Sequence, residues 1–260
     1  MLRLPFGGVQ DAGGCREGVA MDDVAGITGK HAVVTGAASG LGRAIAADLA
    51  SAGALVTAFD RSPTVTSVTV GHAAVVDCGR TDEVRAAVDA ARGVHGPVSI
   101  VVHAAGIGIH QPIGEFTDAF YDATFDVHVR GLCALAAAAA SDWAEHGGSL
   151  LAVTSPAAIR GQVHGSVYAA AKSAVIGFVR SAALELAPKV RVNAILPMAA
   201  TPMTAEVRED AALDAHYLLR VPLRRWGTPE EIAGFCRFVL SDAGSYMTGG
   251  VLNIDGGRTI

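Results

Sequence analysis

From His31 onward the chain alternates short β-branched runs with longer amphipathic ones, a rhythm that restricts it to repeated strand–helix–strand units. Strands are expected at residues 32–35, 55–60, 74–76, 100–103, 150–154, 190–196 and 251–254, with helices at 41–51, 82–92, 118–145, 167–186 and 229–241. Interleaving of this kind predicts an α/β fold, a Rossmann-type doubly wound sheet of seven mainly parallel strands with helices on both faces. A composition that is 51% hydrophobic and only 17% charged suits a sheet buried on both sides. The expected organisation is a flexible amino-terminal extension over 1–26 and a single domain over 27–260.

The same composition narrows the function classes. A net charge of −5, with no basic run and no interleaved aromatics, gives no footprint for nucleic acid. The uncharged stretch over 132–141 is too short to span a bilayer, so no membrane partner is expected. The first twenty residues are rich in glycine and lack a sustained apolar run, so they fail as a secretory signal, and Met21 is an alternative start. Cys15, Cys78, Cys133 and Cys236 lack metal-ligand or redox spacing. Reduced thiols, a cytoplasmic location and no metal are expected.

In a doubly wound sheet, ligands sit beyond the carboxyl ends of the strands. The segments leaving those ends are 36–42, 60–62, 106–117, 155–167 and 197–222; the last carries Pro197, Pro202 and Pro222 around a short helix and reads as a mobile lid. In the first, Thr35-Gly36-Ala37-Ala38-Ser39-Gly40-Leu41-Gly42 leads from a strand into a helix. Gly36, Ser39, Gly40, Leu41 and Gly42 would bring backbone N–H groups and a helix dipole to a pyrophosphate, with a purely structural turn as the alternative. Asp60, ending the second strand, would accept hydrogen bonds from an adenosine ribose and repel a 2′-phosphate, favouring NAD over NADP, although Arg61 beside it is able to meet a phosphate. Asp77, with its neighbour Cys78, is placed for the adenine amino group; the alternative is a helix cap near Thr81, a place that Thr81 or Asp82 fits better.

Tyr168 and Lys172 stand four residues apart, a spacing that puts both on one helix face, and Ser155 precedes Tyr168 by thirteen residues. A free phenol titrates near about 10, and a neighbouring cation favours its ionised form. With Arg191-Val192-Asn193-Ala194, Pro222-Leu223-Arg224-Arg225, Pro229-Glu230-Glu231-Ile232-Ala233 and Asp255-Gly256-Gly257, these motifs make residues 27–257 resemble the single-domain short-chain dehydrogenase/reductase family. The resemblance implies hydride transfer between a nicotinamide and a secondary alcohol or ketone, chemistry on CH–OH groups. Tyr168 would be the general acid/base, Lys172 would lower its pKa and bind the nicotinamide ribose, and Ser155 would steady the reacting oxygen.

Several positions depart from the family pattern. His103-Ala104-Ala105-Gly106 stands where Asn-Asn-Ala-Gly is usual, which implies lost hydrogen bonds between strands, while Ala104, Ala105 and Gly106 still allow backbone close to the cofactor. His128 occupies the position of a catalytic asparagine, either as a relay residue or as a packed histidine. Met198, after Pro197, replaces a glycine beside the nicotinamide, and Thr201 is the candidate for its carboxamide.

The candidate substrate residues are Ile107, His110, Pro156, Arg160, Gln162, His164 and Met203, with Ile109, Ile159, Val163 and Tyr217 around them. Most are apolar, which suits a medium-sized hydrophobic or cyclic alcohol or ketone. Arg160 would hold a carboxylate bidentately, unless it is simply solvated. The family resemblance further implies a homotetramer built on the helices over 118–145 and 167–186. Two rival readings are an NADPH-dependent ketoreductase of the 3-oxoacyl type and a catalytically impaired nucleotide sensor or scaffold, against which Ser155, Tyr168 and Lys172 all argue.

Overall fold

The computed structural model describes residues 25–68 and 71–260, so most of the expected extension over 1–26, and Cys15 with it, lies outside the described residues. The chain runs β1 (His31–Thr35), α1 (Gly40–Ser51), β2 (Leu55–Asp60), β3 (Gly71–Val75), α2 (Thr81–His95), β4 (Val98–His103) and α3 (Asp118–Phe125). It continues through α4 (Gly131–His146), β5 (Gly148–Val153), α5 (Ala157–Arg160), α6 (Ser166–Leu186), β6 (Val190–Pro197), α7 (Ala205–Glu209), α8 (Ala211–Leu218), α9 (Pro229–Leu240) and β7 (Val251–Ile254). All seven strands join one parallel sheet in the order β3-β2-β1-β4-β5-β6-β7.

This order reverses between β1 and β4, and a crevice opens where the connections leave toward opposite faces. The sheet is covered on both sides. One core packs Ile45 and Leu49 of α1 and Ile232, Cys236 and Val239 of α9 on Val34, Val56 and Val102. The other packs Val84 and Val88 of α2, Leu132, Leu135 and Trp143 of α4 and Val175 and Val179 of α6 on Val33, Val101 and Leu150. Asp118–His146 and Ser166–Leu186 are long and apolar enough to cross a bilayer by composition alone, yet both pack on the sheet.

Arg191 shows how a surface-type residue serves this fold. From β6 its guanidinium donates to the carbonyls of Val239, Leu240 and Ser241 at the end of α9, and to those of Gly244 and Met247 beyond it. A cation there satisfies carbonyls that the helix leaves unpaired and opposes its negative dipole end. At the other end of α9, Thr228 and Glu231 form a reciprocal cap, so both ends of the helix are fixed by side chains.

Two local expectations are corrected. The helix expected over 118–145 is interrupted by a π turn at Asp126–Arg130, which inserts an extra residue and rotates His128 into the molecule. At α2 the first helical residue is Thr81 and Arg80 precedes it without a side-chain cap, so neither Thr81 nor Asp82 caps the helix. Glu83 instead accepts from the Asp77 amide, and Asp77 Oδ1 accepts from Gly79 N–H.

Candidate active site

The carboxyl ends of the strands open onto a cleft of about 1180 Å³ that runs from the glycine turn to α8. At its nucleotide end Gly36 has φ +69°, and a Cβ there would lie 2.8 Å from the Ala105 nitrogen, so the turn and the β4 loop touch through backbone alone. Ser39 makes no side-chain cap to α1, and the first turn of that helix holds no acidic residue. Its amide end therefore faces the cleft with a positive dipole that nothing in the first turn neutralises. An anionic dinucleotide fits such a cradle.

Asp60 fastens the cradle. Its Oδ2 accepts from Ala38 N–H at 3.1 Å and its Oδ1 from Ser62 N–H at 2.8 Å, and each oxygen retains a lone pair for a hydroxyl. Arg61 beside it is exposed on the cleft wall, as is Asp77. The Cys78 thiol is buried, and that burial, with Asp77 and Asp60 nearby, pushes it up to about 12. It faces this end as a neutral group.

His103 overturns the expectation of lost hydrogen bonds between strands. Its Nδ1 accepts from the Thr35 hydroxyl at 3.0 Å, Thr35 accepts from Ala105 N–H, and His103 Nε2 donates to the Val127 carbonyl at 3.1 Å. One imidazole thus ties β1, β4 and the π turn together. Burial, and secondarily the charge of Lys172, lowers its pKa to about 3, so it is neutral in this role.

His128 points inward from the π turn with 1% of its surface exposed. Its Nε2 lies 3.0 Å from the Ile107 carbonyl, its ring meets Tyr168 edge-on at 5.5 Å, and its Nδ1 is buried without a partner. Gly106 makes room for it, since a Cβ there would sit 2.4 Å from His128 Cε1. Burial first, then Lys172, pulls its pKa to about 2. Both histidines therefore bind a proton more readily unfolded than folded, so they add stability above about pH 6.5 that is lost as the pH falls. His128→Asn is expected to shrink the drop in unfolding free energy between pH 7 and pH 5 by about 2 kcal/mol, read from urea titrations at both pH values; an unchanged drop refutes the assignment.

Tyr168 and Lys172 lie on the buried face of α6, over the end of β5. Lys172 Nζ donates to the Val153 carbonyl at 2.8 Å and stands 5.8 Å from the Tyr168 ring centre. Burial lowers its pKa to about 7. Tyr168 moves opposite to the expectation: burial raises it above its usual value, and a hydrogen bond from Ser155 only partly offsets this. Ser155 Oγ also accepts from Ala157 N–H, which starts α5.

Pro197, Met198 and Thr201 line the cleft where β6 ends. Met198 is 7% exposed and is pinned by its own backbone, donating to Ile254 and accepting from Gly227. The segment after it folds as α7 and α8 rather than as one short helix. Of the expected substrate residues, Ile107, His110, Pro156, Arg160, Gln162, Val163, Met203 and Tyr217 line the cleft, whereas Ile109, Ile159 and His164 do not. His164 takes a left-handed backbone (φ 58°), its carbonyl accepts from Gln111 N–H, and its side chain is exposed. His216, Arg220, Trp226 and Arg258 line the same end and were not expected there. For Arg258 the signal was available, since it follows the Asp255-Gly256-Gly257 turn at the carboxyl end of β7.

The family described as Enoyl-(Acyl carrier protein) reductase matches residues 36–259. A 3-oxoacyl-[acyl-carrier-protein] reductase of Thermotoga maritima is 34% identical, over 90% of this chain and 99% of that protein. Among solved structures, a gluconate 5-dehydrogenase of Burkholderia cenocepacia in complex with NADP and tartrate superposes with a TM-score of 0.87 at 28% identity, covering 92% of this chain and 99% of the other. A 3-ketoacyl-(acyl-carrier-protein) reductase of Brucella melitensis complexed with NADH gives 0.83 at 31% identity, covering 90% and 100%. With Ser155, Tyr168 and Lys172 gathered on the cleft that the glycine turn also lines, the chain belongs to the short-chain dehydrogenase/reductase family and is an NAD(P)-dependent oxidoreductase of alcohols and ketones.

Proposed function

We propose that the protein is an NAD-dependent alcohol dehydrogenase or ketone reductase acting on a medium-sized, largely hydrophobic or cyclic substrate. The observation that carries the reading is the meeting of Ser155, Tyr168 and Lys172 on one wall of the cleft that also holds the glycine turn and Asp60. A bound nicotinamide supplies or accepts the hydride. Tyr168 gives its phenolic proton to the substrate oxygen in reduction and recovers it in oxidation, and Ser155 donates a hydrogen bond to that oxygen as its charge develops. Lys172 orients the ribose side of the cofactor and adds positive charge behind Tyr168. The buried positions of Tyr168, Lys172 and Met198 keep bulk water from the reacting face.

NAD is preferred because a carboxylate at the end of β2 welcomes ribose hydroxyls and opposes a 2′-phosphate. Arg61, exposed beside it, supports the second reading, an NADPH-dependent ketoreductase of the 3-oxoacyl type. Calorimetric titration decides between them. NADH is expected to bind at least about tenfold more tightly than NADPH, and the reverse order overturns the preference. A screen of alcohols and ketones, followed by absorbance of the reduced nicotinamide, tests turnover itself and with it the sensor reading.

A cytoplasmic homotetramer completes the proposal. Ala134 and Ala139 of α4 pack inside the chain, which leaves Ala137 and Ala140 among the exposed residues available to a neighbour. Gel filtration at micromolar concentration should give a tetramer, and a stable monomer removes this part of the reading.

A further inference from the structure

We propose that Arg160, Arg220 and Arg258 form an oxyanion site at the substrate end of the cleft, and that the site selects alcohols and ketones bearing a carboxylate. The inference rests on the oxidoreductase reading above and names its substrate class. The three arginines come from α5, the segment just after α8 and the turn after β7, and they line one cleft.

None of them lies within ion-pair distance of a carboxylate among the described residues, although the chain as a whole carries a net charge of −5. The acidic groups nearby are otherwise engaged. Asp214 accepts from the Trp226 indole at 2.6 Å and Glu231 pairs with Arg225, while Asp255, which accepts from Gly257 N–H through Oδ1 and leaves Oδ2 without a hydrogen bond, acts on Arg258 only beyond ion-pair distance. The cationic cluster therefore has no carboxylate in direct contact to neutralise it.

Arg258 is the centre of the site. Its guanidinium lies over the Tyr217 ring at 5.4 Å, and its Nη1 is buried with no hydrogen-bond partner. Arg160 Nη1 donates to the Arg258 backbone carbonyl, which fixes the Arg160 side chain against the turn that carries Arg258. Burial, followed by the charges of Arg160 and Arg220, pulls the Arg258 guanidinium below its usual value. A buried donor without an acceptor and neighbouring like charges are each unfavourable, and a bound oxyanion relieves both.

Position sets the size of the ligand. Arg160 follows Ser155 by five residues, most of them in α5, so the two backbone positions stand about 7 Å apart along the chain. A substrate whose carboxylate meets this arginine while its oxygen meets Ser155 has the two groups a few carbons, or one ring width, apart. Ile107, Val163 and Met203 supply apolar cover for the part between. Guanidinium forks match a planar carboxylate bidentately.

The test is calorimetry on the full chain with cyclohexanecarboxylate, its carboxamide and cyclohexyl phosphate, with and without NADH, followed by turnover of 4-oxocyclohexanecarboxylate and its carboxamide. Wild type should bind the acid about tenfold or more tightly than the amide. That preference should fall below about threefold in Arg258→Gln and shrink in Arg160→Gln, whose side chain is exposed and whose loss leaves the core intact. Equal binding of acid and amide overturns the site, as does retention of the preference by both variants. Tighter binding of the phosphate than of the carboxylate overturns the substrate class. Acid preference without turnover of any ketone supports the site and sinks the oxidoreductase reading; turnover of neutral ketones without acid preference does the opposite.

Discussion

Tyr168→Phe is expected to cut turnover by about a thousandfold while leaving nicotinamide affinity within about threefold of wild type. The substitution removes one oxygen from a ring that the fold holds on several sides. His110 meets that ring at 5.7 Å and His128 at 5.5 Å, and Lys172 Nζ stands 5.8 Å from its centre. None of these contacts needs the hydroxyl, so phenylalanine keeps the packing and loses only the exchangeable proton and the bond to Ser155. Because burial raises the phenol pKa, the group is protonated at neutral pH and ready to act as an acid in ketone reduction. The reverse direction must remove that proton and should accelerate as the medium becomes alkaline. Single-turnover rates and calorimetry on the same variant separate chemistry from binding, and wild-type rates would remove Tyr168 from the reaction.

The strand pattern was legible because each strand of a sheet buried on both faces is a short apolar run bounded by turn residues. β3 is the exception: it begins at Gly71-His72, residues with no strand signature, so only its last residues announced it. The π turn was not legible. One extra residue within a helix leaves the apolar rhythm on either side intact, yet it decides where His128 points.

At the site, sequence spacing was enough to unite Ser155, Tyr168 and Lys172, since two of them share a helix and the third follows the end of a neighbouring strand. It was not enough for His103, whose bonds to Thr35 and Val127 depend on a sheet order that places β1 beside β4. The direction of the Tyr168 shift was missed for a related reason: a neighbouring cation is visible in sequence, whereas the burial that raises the phenol is a property of the packed chain. The arginine cluster joins residues 160, 220 and 258, too far apart in sequence for any local pattern to group them.

Lys172→Met is expected to lower turnover by at least about a hundredfold and to remove the part of the rise in stability between pH 7.5 and pH 9.5 that the lysine supplies. Lys172 is 5% exposed, and burial lowers its pKa from 10.5 to about 7. Above pH 10.5 the lysine is neutral whether the chain is folded or not, and it costs nothing. As the pH falls toward 7 the unfolded chain takes up a proton that the folded chain refuses, so stability declines through that window and levels off below it. For one such group, the gap in unfolding free energy between pH 9.5 and pH 7.5 is about 2.5 kcal/mol. Cys78 and Cys236, both raised by burial, act in the opposite sense at alkaline pH and are common to both proteins. The informative quantity is therefore the difference between wild type and Lys172→Met in the gap between those two pH values, measured by urea titration. Equal gaps would show that Lys172 is not desolvated as its contact with Val153 implies. A reduced gap accompanied by lost turnover would show that the fold tolerates, at neutral pH, a buried amine that weakens it because the reaction at Tyr168 requires that amine.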